Sequence, residues 1–205
     1  IRIIMDFLSG NIIQTLEIVG TILGVLYLYY EYRASSSLWI VNIVMSAIYT
    51  LIYFSEGIYA LGTLSIYNIL AAFYGIFMWK YSKKASEKKE LPITSIPRKV
   101  LANSAVVMVA LSVALIYILH TISDTGNLLY NSLDGLASSA TIISLYWLAK
   151  KYKEQWFGWI FVNFVSVVLY LITGLYFTAA LYTLYIIVAV AGYKQWSKLM
   201  DNAKS

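Results

Sequence analysis

No cysteine occurs in the 205-residue chain, which excludes a disulfide framework and a thiolate metal site and leaves the redox compartment open. Histidine is nearly absent too. The one copy, His120, has no His/Glu cluster or Ser–His arrangement around it to supply a general base, a nucleophile or a metal set. No metal, cofactor or enzymatic turnover is expected. Charge is scarce, with 12% of residues Asp, Glu, Lys or Arg. These residues collect in short stretches that leave runs of about twenty residues almost free of charge, the length that crosses a bilayer as a helix.

What is abundant is apolar surface: 60% of the residues are hydrophobic, against roughly 45–50% in soluble domains. The net charge of +5 would suit nucleic acid, but the Lys and Arg flank apolar runs, as the positive-inside rule describes, so no nucleic-acid partner is expected. Ile1 to Gly10 carry only Arg2 and Asp6 and no small-residue cleavage pattern. That stretch reads as an interfacial helix or the remnant of a longer terminus, not as a removable signal peptide.

The apolar spans are 13–31, 38–54, 58–80, 100–119, 128–149, 156–173 and 176–195. Barrel strands would be about half as long and alternate in polarity, so the expected fold is an all-α membrane protein of seven transmembrane helices. Lys80, Lys83, Lys84, Lys88, Lys89, Arg98 and Lys99 crowd one loop. Arg33, the group Lys150, Lys151 and Lys153, and the tail Lys194, Lys198 and Lys204 fall on the same side if the helices alternate. The opposite loops, around Glu56, Asp124 and Thr173, hold no Lys or Arg, which puts the N-terminus outside and the C-terminus inside.

Sliding the chain against itself by 117 residues exposes an internal repeat. Glu17 meets Asp134, Trp39 meets Trp156, Tyr53 meets Tyr170, Gly57 meets Gly174, Gly75 meets Gly192 and Trp79 meets Trp196. The chain then divides into a first three-helix repeat, 13–80, a loop and linker helix, 81–127, and a second repeat, 128–196. A single linker helix returns the second repeat in the same orientation, so the repeats are parallel.

Transporters built from repeats tend to hold substrate near the bilayer midplane where the halves meet. Trp39, Asn42, Ser46, Tyr49 and Tyr53 correspond to Trp156, Trp159, Asn163, Ser166 and Tyr170, and steps of three and four keep each set on one helix face. Asn68 and its counterpart Tyr185 reach similar depth. The candidate substrate-binding residues are therefore Trp159, Asn163, Asn68, Ser46, Asn42, Tyr185, Trp156 and Trp39. An Asn in hydrocarbon needs a partner, either a neighbouring helix or a ligand, and the paired placement favours a ligand for Asn163. Most of the six tryptophans read as an interfacial belt; Trp159, one turn deeper than Trp156, reads as a stacking surface. Glu17 and Asp134 either reach the outer headgroups or form an acidic entrance that favours a cation. A retinal-type receptor would need a lysine in the middle of the seventh span, and 176–193 has none.

The stretch Glu154-Gln-Trp156-Phe-Gly-Trp159-Ile-Phe-Val-Asn163, followed by Gly174-Leu-Tyr176, resembles the W-x-x-W-x-x-x-N/D pattern of the PnuC family of bacterial vitamin transporters. The first half carries a weaker form, Trp39-Ile-Val-Asn42, with Asn42 where the second tryptophan would stand. The resemblance runs from Leu16 to Trp196. It implies a SWEET-like three-plus-one-plus-three fold, a homotrimer in the bacterial inner membrane, and facilitated diffusion of a vitamin precursor that intracellular phosphorylation traps. Nicotinamide riboside and thiamine, both cationic heteroaromatics, suit the acids and Trp159; riboflavin, neutral and larger, suits them less. A receptor or scaffold that binds without passing its ligand is the alternative from another class, and the short tail after Trp196 weighs against it.

Overall fold

The computed structural model describes residues 10–55, 59–82, 90–122 and 127–203. Seven helices account for most of these: α1 Gly10–Tyr32, α2 Ser37–Ser55, α3 Tyr59–Ile76, α4 Arg98–Ile122, α5 Leu128–Ala149, α6 Gln155–Ile172 and α7 Tyr176–Asn202. α3 runs on into a π-helical turn at Phe77–Tyr81. Among the described residues there is no strand; an isolated bridge pairs Thr94 with Tyr152. The protein is all-α, as the uncharged runs predict.

Five helices are long and apolar enough to cross a membrane by length and composition: α2, α3 with its π-helical turn, α4, α6 and α7. In α1 the apolar part is the shorter stretch Ile18–Tyr32. α5 has the length, 22 residues, but carries Asn131, Asp134, four serines and a threonine. Hydrocarbon would penalise those groups, so they turn inward. Asn131, Ser139 and Ser144 are all buried. Ser139 Oγ lies 2.6 Å from Ser112 Oγ on α4, and Ser144 Oγ donates to the Ala140 carbonyl at 2.7 Å.

Local chemistry sets the helix starts. Pro97 precedes α4 and its carbonyl accepts from Leu101 N at 3.0 Å; a proline loses nothing at a helix start, where its missing N–H would have had no partner. Asn127 caps α5, its Oδ1 accepting from Tyr130 N at 3.1 Å.

The chain divides into two compact units between Leu91 and Pro92, so that α4 groups with the second three helices. In the first unit α2 packs against α1 and α3; in the second α5 packs against α4 and α6, and α6 against α7. Shifted by 117 residues, α2 would run 154–172 against Gln155–Ile172 for α6, and α1 would run 127–149 against Leu128–Ala149 for α5.

The same shift reproduces a turn bond by bond. After α1, Arg33 N, Ala34 N and Ser35 N donate to the carbonyls of Tyr29, Glu31 and Tyr30; after α5, Lys150 N, Lys151 N and Tyr152 N donate to those of Tyr146, Leu148 and Trp147. The non-glycine residues with positive φ among those described are Ala34 at 52° and Lys151 at 56°, each in the left-handed conformation that ends a helix and turns the chain back. The cation-aromatic contacts repeat as well, Arg33 over Tyr29 at 5.7 Å and Lys150 over Tyr146 at 5.8 Å.

Each unit is also clamped by tryptophan. In the first, Trp39 and Trp79 meet edge to face at 5.5 Å and 86°; in the second, Trp156 and Trp196 do so at 5.9 Å and 89°. All four are at most 1% exposed. A Cβ on Gly75 would collide with the Trp39 ring, and one on Gly192 would lie 2.5–2.6 Å from three Trp156 ring atoms, so glycine is what lets helix backbone meet indole face. These four tryptophans correct the interfacial-belt reading. They sit at the expected ends of their spans but face inward, as packing elements and not as headgroup anchors.

Candidate functional site

On α2, the face that carries Trp39 also carries Asn42 and Ser46, which are 3% and 2% exposed. Ser46 is the tenth of nineteen residues, at mid-helix. Its hydroxyl donates to Asn42 Oδ1 at 3.1 Å, and Thr50 Oγ1 donates to the Ser46 carbonyl at 2.7 Å. The Asn42 amide oxygen is thereby engaged and its N–H groups remain the donors on offer. One turn on, the Tyr49 and Tyr53 rings stack at 5.7 Å. Asn68, half-buried, is the tenth residue of α3.

On α6 the corresponding face carries Trp156, Trp159, Asn163 and Ser166. Asn163, the ninth of eighteen residues, is 9% exposed. It makes no hydrogen bond with another described residue. Trp159 is half-buried and keeps part of its ring accessible, unlike Trp156 one turn before it. Tyr185 on α7 meets Tyr182 edge-on at 5.5 Å, and Tyr182 tilts against Tyr170 of α6 at 5.0 Å. The second unit thus brings Trp159, Asn163, Tyr170 and Tyr185 onto two packed helices.

The two faces share a register but offer different chemistry. Asn42 and Ser46 are bonded to each other, while Asn163 is open and Trp159 supplies an aromatic plane in place of Asn42. Trp39 and Trp156 are committed to their clamps, yet the indole Nε1 of each is buried with no hydrogen-bond partner among the described residues.

Of the two acids, Asp134 is half-buried one turn and a half into α5, with the Ser138 side chain and Tyr130 nearby. The side chain of Glu17 lies outside the described residues, as do Glu56, Asp124, Lys83, Lys84, Lys88 and Lys89. Glu31 was not among the residues singled out from sequence. It is 1% exposed at the end of α1, close enough to Tyr27 to act on it electrostatically. Its counterpart is Leu148, so matching acids across the repeat passes over it; an acid standing as the last residue of the apolar span 13–31 was the available signal. Gln155 was passed over for the same reason: its counterpart is Leu38, and both are fully buried. Its side-chain amide has no hydrogen-bond partner among the described residues.

Seven helices, five of them apolar enough to cross a bilayer, with paired polar faces at mid-helix, define a polytopic α-helical membrane protein. A family model described as nicotinamide mononucleotide transporter matches residues 14–198, and the chain belongs to that family. It is 23% identical over 209 residues to the nicotinamide riboside transporter PnuC of Escherichia coli (strain K12), covering 92% of this chain and 87% of that one. To the protein of the same description from Haemophilus influenzae it is 27% identical over 168 residues, covering 75% and 67%. Its fold is similar to that in a crystal structure of the vitamin B3 transporter PnuC, with a TM-score of 0.69 at 18% identity over 98% of this chain and 87% of that one.

Proposed function

We propose that this protein carries nicotinamide riboside into the cell by facilitated diffusion, with phosphorylation inside trapping the product. In this reading Trp159 stacks on the pyridinium ring, Asn163 and Asn68 hydrogen-bond the carboxamide or ribose, and Asn42, Ser46 and Tyr185 complete the lining, with Trp39 and Trp156 fixing the start of each face. The observation that carries it is Asn163: a residue nine-tenths buried in an apolar helix, whose amide has no partner among the described residues, is stable where a ligand or water supplies one. Trp159 lies one turn away on the same face, so a ring and a hydrogen-bond partner are offered together.

Asp134 and Glu17 would draw a cation toward the outer end, and membership of the family supports transport over reception. The two parallel three-helix repeats, 13–80 and 128–196, would supply the moving bodies, and the protein would sit as a homotrimer in the inner membrane with its C-terminus in the cytoplasm.

The test is calorimetric titration of purified protein with nicotinamide riboside and, separately, thiamine, for wild type and Asn163→Ala, beside counterflow of labelled riboside in proteoliposomes. Riboside binding weakened about tenfold or more in Asn163→Ala, together with counterflow in wild type, is expected. Tighter binding of thiamine would reassign the substrate, unchanged affinity would remove Asn163 from the site, and binding without counterflow would make the protein a receptor.

A further inference from the structure

In the second unit a cleft of about 180 Å³ opens between α4, α5 and α6, walled by Met108, Ala140, Ile143, Trp147, Phe157 and Phe161. At 100° per residue, Phe157, Gly158 and Phe161 fall roughly opposite Trp159, Asn163 and Ser166 on α6, so the cleft is separate from the polar face. Its few polar groups are already satisfied. Ser144 Oγ donates to the Ala140 carbonyl at 2.7 Å, and Trp147 Nε1 donates to Ser104 Oγ at 3.0 Å. Gly158 lets α6 press against Ser144. Phe157 and Phe161 stay 49% and 38% exposed beside it. Such a cleft offers a ligand nothing but apolar contact, so whatever fills it has a hydrocarbon portion there.

Beyond the Trp147 end of the cleft the unit carries basic residues. Thr94 N donates to the Lys151 carbonyl at 3.1 Å, Lys153 N donates to the Thr94 carbonyl at 3.0 Å, and Ile96 N donates to Glu154 Oε2 at 2.9 Å. These bonds hold the start of α4 beside the α5–α6 turn. Arg98 and Lys99, both exposed, and half-buried Lys150 therefore gather at one end of the unit. Trp147 marks the nearer end of the cleft: it is three residues from Lys150, and its partner Ser104 is six residues from Arg98, about 9 Å of helix. Glu154, the acid in this turn, is engaged by Ile96, and the turn's lysines lie over aromatic rings, Lys150 over Tyr146 at 5.8 Å and Lys153 over Tyr193 at 5.4 Å.

From this charge complementarity we propose that the cleft is a binding site for an anionic phospholipid, its acyl chain against Trp147, Phe157 and Phe161 and its phosphate among Arg98, Lys99 and Lys150. Juxtamembrane cations attract anionic headgroups, and the cleft adds a fixed place for the chain.

Tryptophan fluorescence of the full-length protein in nanodiscs tests this, with acyl-brominated phosphatidylglycerol compared against phosphatidylcholine brominated at the same positions. Quenching by the anionic lipid is expected to exceed that by the zwitterionic one at least twofold. The excess disappears in Trp147→Phe, which removes the reporter, and separately in Arg98→Gln/Lys99→Gln/Lys150→Gln, whose substitutions lie at the basic end and leave the apolar walls intact. Equal quenching of wild type by the two lipids overturns the proposal, as does an excess that survives in either variant.

Discussion

Replacing Gly192 by alanine tests the tryptophan clamp directly. The new Cβ would lie 2.5–2.6 Å from Cζ2, Cε2 and Cη2 of Trp156, about 1 Å inside ordinary carbon–carbon contact. The indole cannot swing away, because it is 1% exposed and its other side meets Trp196 at 5.9 Å. α6 and α7 must therefore separate, and overpacking of this kind costs about 1–3 kcal/mol. For a chain of this length that corresponds to a fall in unfolding temperature of roughly 2–12 °C. Intrinsic fluorescence during heating in detergent measures it, since six tryptophans report on packing. Gly24→Ala is the control, because its Cβ would meet only Met45 Sδ at 3.8 Å, and it should match or slightly exceed wild type. Trimming the ring relieves the clash, so Trp156→Phe should cost less in the Gly192→Ala background than alone. Additive losses, or a Gly192→Ala protein as stable as the control, would refute the close-contact account.

Trp159→Ala should weaken riboside binding by about 1–3 kcal/mol, the range for loss of a stacking platform, while Trp159→Phe keeps most of the affinity; calorimetry separates the two. Ala34→Gly should raise the unfolding temperature by a few degrees, since glycine carries no steric penalty at φ 52° where alanine costs about 1 kcal/mol. The natural chain holds no cysteine, so single introduced cysteines report topology cleanly. Thr173→Cys should react with an impermeant maleimide on intact cells and Ser95→Cys only in inverted vesicles, and the opposite pattern would reverse the proposed orientation.

The helices were legible because hydrocarbon dictates a length: the expected 156–173 appears as Gln155–Ile172 and the expected 38–54 as Ser37–Ser55. α7 was read as ending near 195 and continues to Asn202, because its last turns leave the apolar run while Trp196 and Met200 stay buried. The π-helical turn at Phe77–Tyr81 had no signal in composition. Trp39, Trp79, Trp156 and Trp196 were misread because depth along a span was weighed without the helix face; Gly75 and Gly192, four residues before Trp79 and Trp196, were the sign of a close crossing. At the candidate site the register was visible, but whether an amide is paired was not. Asn42 is bonded to Ser46 four residues on, whereas Asn163, which takes the register position of Ser46, makes no hydrogen bond with another described residue, and a shared helix face foretells neither state.

Each tryptophan clamp closes between consecutive helices of one unit, α2 with α3 or α6 with α7, and is complete within that unit. On a ribosome the first clamp can therefore shut as soon as α3 and its π-helical turn have emerged, while α4 is still enclosed and before α5 to α7 have been made. A chain that settles in this way reaches its final assembly as two pre-packed modules. Co-expression of the two segments as separate polypeptides, cut between Leu91 and Pro92, is accordingly the natural way to ask whether each unit packs without a covalent link to the other.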